Sequence, residues 1–78
     1  MTLRDLQKGC TARVTGFHYD DDELETRLRE IGFAEGDEVE LMHVGLFGQN
    51  PITVKLNGAL IAMRKNEAGV VIIENPIT

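Results

Sequence analysis

Apolar and polar residues alternate along two stretches of the chain, as in β-strands that bury one face. The first stretch runs from Cys10 to His18, and the second from Asp37 to Val44. One face of the first stretch carries Cys10, Ala12, Val14, Gly16 and His18, and the opposite face carries Thr11, Arg13, Thr15 and Phe17. The second stretch turns Val39, Leu41 and His43 to a single side. We therefore predict two strands, with both histidines at inward-facing positions near the strand ends.

A short amphipathic helix is predicted between these two strands. Its apolar stripe consists of Leu24, Leu28 and Ile31. The aspartates at positions 20–22 favour a helix N-terminus just before this stripe. Gly32 can adopt the left-handed conformation at low cost, so it is expected to end the helix. Phe33 then folds back onto the apolar stripe, and Gly36 lies in a tight turn that leads into the second strand.

The second half of the chain is predicted to form a β-hairpin around Asn57-Gly58, because this dipeptide favours a two-residue type I′ turn. The residues that this turn pairs, all expected on the buried face, are Leu56 with Ala59, Val54 with Ile61, and Ile52 with Met63. The opposite face carries Thr53, Lys55, Leu60, Ala62 and Arg64. Residues 66–69 are predicted to be a connector, and Val70 to Glu74 a final apolar strand.

Five short strands and one inserted helix predict a mostly β fold, a small and partly open barrel of about five strands with the helix after the first strand. The 78 residues are enough for one domain, residues 1–78, and not for two. No apolar run is long enough to span a bilayer, and the charged N-terminus does not resemble a signal peptide. Because Cys10 is the single cysteine, we expect a reducing compartment, the cytoplasm.

The net charge of −5 is distributed unevenly along the chain. Residues 20–40 contain ten acidic and two basic side chains, a net charge of −8, whereas the remaining residues contain three acidic and six basic side chains, a net charge of +3. A nucleic-acid binder usually presents a dominant basic face, so binding to DNA or RNA is not expected. We predict instead that Arg13, Lys55, Arg64 and Lys65 face an acidic partner or the anionic membrane surface.

Few residues are suited to catalysis or to metal binding. The chain contains no serine and no glycine-rich phosphate-binding motif, so we expect neither an enzyme nor a bound nucleotide or other cofactor. Cys10, His18 and Asp20 offer ligand atoms close together in sequence, and they are the metal-ligand candidates. Their spacing matches no compact metal motif, however, and the run of aspartates suits a helix cap better.

Two apolar residues stand in the loop before the hairpin. Leu46 and Phe47 lie between Gly45 and Gly48, where burial in the core of a small domain is hard to arrange. Apolar residues exposed on loops often anchor a partner protein. We predict that both side chains contact a partner, with the alternative that Phe47 covers the open end of the barrel.

An ordered set of residues along the whole chain resembles a known family. The set consists of Leu3, Leu6, Gly9, Arg27-Leu28, Glu30, Gly32-Phe33, Gly36, Pro51-Ile52, Ala62-Met63-Arg64, Glu67-Ala68 and Ile72. It is similar to the ferrous iron transport protein A (FeoA) family. The resemblance implies an SH3-like β-barrel and a cytoplasmic accessory protein that binds the cytosolic, GTP-hydrolysing part of the bacterial ferrous iron permease, FeoB. Similar domains form the C-terminal part of iron-dependent repressors, and this chain resembles the free-standing type.

The chain departs from the family pattern in the loop before Pro51, where many relatives carry a proline and an aspartate. This departure concerns the partner contacts and not the fold. Two other functions stay open beside the FeoA interpretation. The first is a stand-alone metal-binding or metal-sensing protein, which requires ligands to converge at Cys10, His18 and the aspartates. The second is a nucleic-acid-associated SH3-like module, which the charge distribution argues against. A weak homo-oligomer is also left open.

Overall fold

The computed structural model describes residues 1–18, 22–46 and 48–74. The elements, in chain order, are a 3₁₀ turn (Leu3–Asp5), β1 (Thr11–Phe17), α1 (Asp22–Ile31), β2 (Glu38–Gly45), β3 (Gln49–Leu56), β4 (Ala59–Met63), α2 (Lys65–Ala68) and β5 (Val71–Ile73). The strands form one sheet in the order β4-β3-β2-β1-β5, and every neighbouring pair is antiparallel. The predicted mostly β fold, with one helix inserted after the first strand, is confirmed.

A single apolar core joins all five strands to both helices. The buried side chains are Leu3, Leu6, Ala12, Val14, Phe17, Leu28, Phe33, Val39, Leu41, Ile52, Val54, Leu56, Met63, Ala68, Val71 and Ile73. Leu24 on α1 and Cys10 before β1 are partly buried and pack against this core. None of the helices in the described part of the chain is long and apolar enough to cross a membrane.

The stretch predicted to be a connector contains a short helix, α2, which the sequence pattern did not reveal. The Glu67 carboxylate accepts a hydrogen bond from the Arg64 backbone N–H at 2.8 Å, which satisfies a donor at the start of the helix. Ala68 on the inner side of α2 is fully buried. A helix of four residues is too short to show an apolar period, so the prediction of a connector was wrong for a simple reason.

The hairpin turn and its register are confirmed. Asn57 and Gly58 both have positive φ, at 50° and 85°, as a type I′ turn requires. Leu56 lies opposite Ala59, and the pairing continues in register to Ile52 and Met63.

The prediction that Ala59, Ile61 and Met63 are all buried was wrong for the first two. Ala59 is exposed and Ile61 is only partly buried, whereas Met63 is buried. β4 lies at the edge of the sheet, and the core covers only its Met63 end.

Both histidines lie on the outside, contrary to prediction, because a β-bulge shifts the alternation of each strand. In β1, the pairing with β5 shifts between Val14 and Gly16, so Phe17 is buried and His18 is exposed. In β2, the pairing with β3 shifts between Leu41 and His43, so His43 is exposed as well. A shift of one residue moves every later side chain to the opposite face.

Gly32 ends α1 as predicted. It has a φ of 129°, its N–H donates to the Arg29 carbonyl at 3.1 Å, and the Phe33 N–H donates to the Leu28 carbonyl at 3.0 Å. These two bonds define a Schellman ending, and both Phe33 and Leu28 are buried. Ile31 was expected on the buried stripe but is 45% exposed. Phe33 folds back into the core at this end of the helix and occupies the buried position instead.

A cluster around Arg29 holds α1 against the end of β1. The Arg29 guanidinium binds both carboxylate oxygens of Glu35, at 2.9 and 3.0 Å, and its Nε donates to Glu25 at 3.2 Å. The same guanidinium lies over the ring of Phe17, 4.5 Å from the ring centroid. The hydrogen bonds from Arg29 hold the pKa of the Glu35 carboxyl below its usual value.

Replacing Gly32 with valine should lower the free energy of unfolding by more than about 1 kcal/mol, because a β-branched residue is strained at positive φ. Urea unfolding at neutral pH measures this difference. The matched control is Gly16→Val, since Gly16 lies in a strand without positive φ and with open space around it. Equal midpoints for the two variants would show that the conformation of Gly32 is not what limits substitution.

Stability should fall in acid, and Glu35→Gln should reduce that fall. The pKa of Glu35 is lower in the folded state than in the unfolded chain, so its stabilising effect is complete above about pH 4.5 and is lost as pH decreases through the lowered folded-state pKa. Melting temperatures at pH 7 and pH 3 should therefore differ less for Glu35→Gln than for the parent protein. Glu30→Gln, at the position next to Arg29 on α1, is the control. An equal change in both variants would contradict the assignment to the Arg29–Glu35 pair.

Candidate partner-binding site

The loop between β2 and β3 exposes Leu46, and its two ends lie in contact with each other. Leu46 is 95% exposed, the highest value among the large apolar residues of the described chain. A Cβ atom at Gly45 would overlap the Asn50 carbonyl, so the two sides of the loop touch and only glycine fits there. The Asn50 side chain in turn accepts a hydrogen bond from the Lys65 backbone N–H at 2.9 Å. The loop is therefore attached to the start of α2. Phe47, the other predicted contact, lies outside the described residues.

The four predicted partner-binding cations fall into two pairs. Arg13 and Lys55 lie on the outer face of the sheet, on the two strands that flank β2. Arg13 forms salt bridges with Glu38 at 3.3 Å and Glu74 at 4.0 Å. Lys55 lies opposite Glu40 in the register of β2 and β3. Acidic side chains therefore accompany this first pair of cations.

The second pair, Arg64 and Lys65, lies at the junction of β4 and α2. Arg64 is exposed, and the Lys65 backbone is tied to Asn50 at the base of the Leu46 loop. Lys55 lies opposite Leu60, and Leu60 precedes Arg64 by four residues along the chain. Lys55 is therefore on the order of 13 Å from Arg64 along the strand direction. Arg64 and Lys65, rather than all four cations, accompany Leu46. We call this group of three residues the loop site.

The metal-ligand candidates do not converge. Cys10 precedes β1 and is partly buried, whereas His18 follows β1 and is exposed. The seven residues of β1 lie between them, a distance on the order of 25 Å if β1 were straight. Asp20 lies outside the described residues. Within residues 1–18, 22–46 and 48–74, no group of three or more histidine, cysteine or acidic side chains is arranged to hold a metal ion.

Leu60 is an exposed apolar residue that was not among the predicted partner-binding residues. It is 65% exposed on the outer face of β4, beside Lys55 on β3. The predicted register already placed Leu60 on the outward face of the hairpin. An apolar residue at an outward position was therefore the signal that identifies it.

Nearly the full length of the sequence matches a known domain family. The family model of the FeoA domain matches residues 1–75. The chain belongs to the FeoA family. The predicted resemblance is thus confirmed, and with it the association with ferrous iron transport. FeoA proteins are small accessory domains of transport and are not a known enzyme family.

Solved FeoA structures share the fold. FeoA from Stenotrophomonas maltophilia, described as a procaryotic SH3 domain protein and crystallised with zinc, is 33% identical with a TM-score of 0.83; the match covers 95% of this chain and 89% of that one. FeoA from Chlorobium tepidum is 28% identical with a TM-score of 0.84, over 100% of this chain and 71% of that one. The SH3-like character of the barrel is thereby confirmed.

A manganese-dependent transcriptional repressor also contains this fold. It is 16% identical with a TM-score of 0.83, and the match covers 94% of this chain but only 40% of the repressor. Identity at this level shows the shared fold alone. No curated protein matches the chain in sequence.

Leu46→Ala should change the free energy of unfolding by less than about 0.5 kcal/mol, because the side chain has almost no protein contact to lose. The same substitution at Leu56, a buried residue, should cost about 2–5 kcal/mol. Urea unfolding of both variants compares them directly. A loss at Leu46 as large as that at Leu56 would mean that Leu46 packs against the core and does not serve as a free contact.

Proposed function

We propose that this FeoA-family protein is a non-enzymatic accessory and regulatory protein of bacterial ferrous iron uptake, which acts by binding the cytosolic part of the permease FeoB. The observation that supports this most strongly is the loop site. Leu46 is 95% exposed, so a partner that covers it would gain the free energy of burying its apolar surface. Its loop is fixed at the base by the contact between Gly45 and Asn50, so binding requires little ordering of this backbone.

Charge supports the same orientation. Residues 45–66 contain Lys55, Arg64 and Lys65 and no acidic residue, whereas the remainder of the chain has a net charge of −8. This segment forms the Leu46 loop and the β3–β4 hairpin. An acidic surface on the partner is therefore attracted to this segment and repelled by the acidic residues of α1.

The remaining contacts complete the proposal. Phe47 adds a second apolar anchor next to Leu46, and Arg13 and Lys55 add weaker contacts, since acidic neighbours already accompany both. The whole of residues 1–78 acts as one domain in the cytoplasm, at the inner face of the membrane where the permease lies.

The alternative, a stand-alone metal-binding protein, has one observation in its favour, the zinc complex of the relative from S. maltophilia. The donor atoms of this chain do not fit that role well, because β1 separates Cys10 from His18. Calorimetric titration with zinc or ferrous ions distinguishes the two functions. Stoichiometric binding that Cys10→Ala and His18→Ala both abolish would favour the metal-binding protein.

Binding to the purified cytosolic domain of a FeoB permease, measured by isothermal titration calorimetry, tests the proposal. Leu46→Ala should weaken binding by about tenfold or more, as expected for an apolar anchor. Arg64→Glu should weaken it further at low salt, and the effect should shrink at high salt because of screening. Lys8→Glu makes the same charge change outside residues 45–66 and serves as the control. Absence of binding by the parent protein, or equal affinities for Leu46→Ala and the parent, would refute the proposal.

A further inference from the structure

The two edge strands of the sheet differ, because another segment of the chain covers β5 but not β4 within the described residues. At one edge, the N-terminal residues cover β5: Thr2 forms a β-bridge with Ile72, and the Ile73 N–H donates to the Met1 carbonyl at 3.0 Å. At the other edge, β4 pairs with β3 on one side only. Within the described residues, no segment forms backbone hydrogen bonds with the outer side of β4.

The turn determines which groups face outward. A two-residue turn makes Leu56 and Ala59 a hydrogen-bonded pair, and such pairs alternate along an antiparallel ladder. Ala59, Ile61 and Met63 therefore direct their N–H and C=O groups to β3. Leu60 and Ala62 direct theirs to the open edge, which offers two donors and two acceptors to another strand.

β4 also lacks the features that usually protect an open edge. Protected edges carry a lysine, a proline, a bulge or an inward-pointing charge. β4 reads Ala-Leu-Ile-Ala-Met, without a charge or a proline, and its pairing with β3 is regular. Leu60 and Ala62 are both exposed on its outer face. An extended segment can therefore pair with this strand without a steric or electrostatic obstacle.

The surrounding charge identifies the kind of segment. Lys55 lies beside Leu60 on the outer face, with Glu40 of β2 on its other side, and Arg64 directly follows β4. The sequence has no acidic residue between positions 45 and 66. Two copies of this edge would bring equal positive charges together, so a second copy of the chain is not favoured. An acidic segment with alternating apolar residues satisfies both the backbone groups and the charges.

We propose that β4 accepts an extended acidic segment of the partner protein as an additional antiparallel or parallel strand. The inference rests on the proposed function only for the source of that segment, the permease. The edge itself is a property of this chain, and it is separate from the loop site. Strand addition at β4 and apolar contact at Leu46 would bind the same partner at two adjacent places.

Amide hydrogen exchange measured by NMR tests the proposal with a defined probe, a short peptide that alternates glutamate and valine. Without peptide, the Leu60 and Ala62 amides should exchange fast, whereas the Ile61 and Met63 amides should be protected by their bonds to β3. With saturating peptide, Leu60 and Ala62 should become at least about tenfold more protected. Unchanged exchange at both residues at saturation would overturn the proposal.

Two substitutions at one position separate edge pairing from other contacts. Ala62→Pro removes an outward donor and leaves the bonds between β4 and β3 in place, so peptide affinity should fall by about tenfold or more. Ala62→Val keeps the N–H and should bind like the parent. Protection of the Ile61 amide reports whether each variant is folded. If Ala62→Pro does not fold, Lys55→Glu replaces it, and undiminished binding of the acidic peptide by that variant contradicts the proposal.

Two further outcomes count against the inference. Equal binding of a peptide that alternates lysine and valine would mean that charge does not select the occupant. Protection of Leu60 and Ala62 that rises with protein concentration alone, together with dimers in sedimentation, would assign the edge to a second copy.

The proposed function fails separately: peptide protection without any binding of the FeoB domain would refute that function and leave the edge assignment in place.

Discussion

The change of partner along β1 is the constraint on which the rest of the fold depends. The first part of β1, residues 11–13, pairs with β2, and the last part, from Val14, pairs with β5. The bulge between Val14 and Gly16 lies just after this change of partner. Val14 is the point of change, because its N–H donates to the Asp37 carbonyl and its carbonyl accepts from the Gly36 N–H, both at 2.8 Å. One bent strand therefore connects both sides of the barrel and holds the turn after α1 in place.

The local features of this fold could be predicted from the sequence, because each depends on only a few neighbouring residues. Asn57-Gly58 determines its turn through positive φ at both positions. Gly32 and Phe33 determine the end of α1 in the same local way. The errors came from pairing between distant strands. The bulges that turn His18 and His43 outward arise from register shifts against β5 and β3, and nothing within β1 or β2 alone indicates them.

The candidate site was predicted in part for a similar reason. The exposure of Leu46 follows from its place between two glycines, which is a local property of the loop. The grouping of Arg64 and Lys65 with that loop depends on the hydrogen bond from Lys65 to Asn50, fifteen residues away in the chain. Nothing in the sequence distinguishes the four cations from one another. In the structure, Arg13 has Glu38 and Glu74 within salt-bridge distance. Tertiary structure therefore decides which cations lie beside the exposed leucine.

A domain of this size has little interior with which to recognise a partner, so its sheet edges and loops must do so. In this chain the acidic residues are concentrated between positions 20 and 40, on and after α1, and none lies between positions 45 and 66. The edge that the N-terminus covers and the edge that stays open differ in hydrogen bonding. In the proposed complex, charge would orient an approaching acidic surface before contact, and the open strand and the exposed leucine would act only at short range. The attraction and the pairing would then use the same segment, residues 45–66, so that a single orientation of the domain would satisfy both.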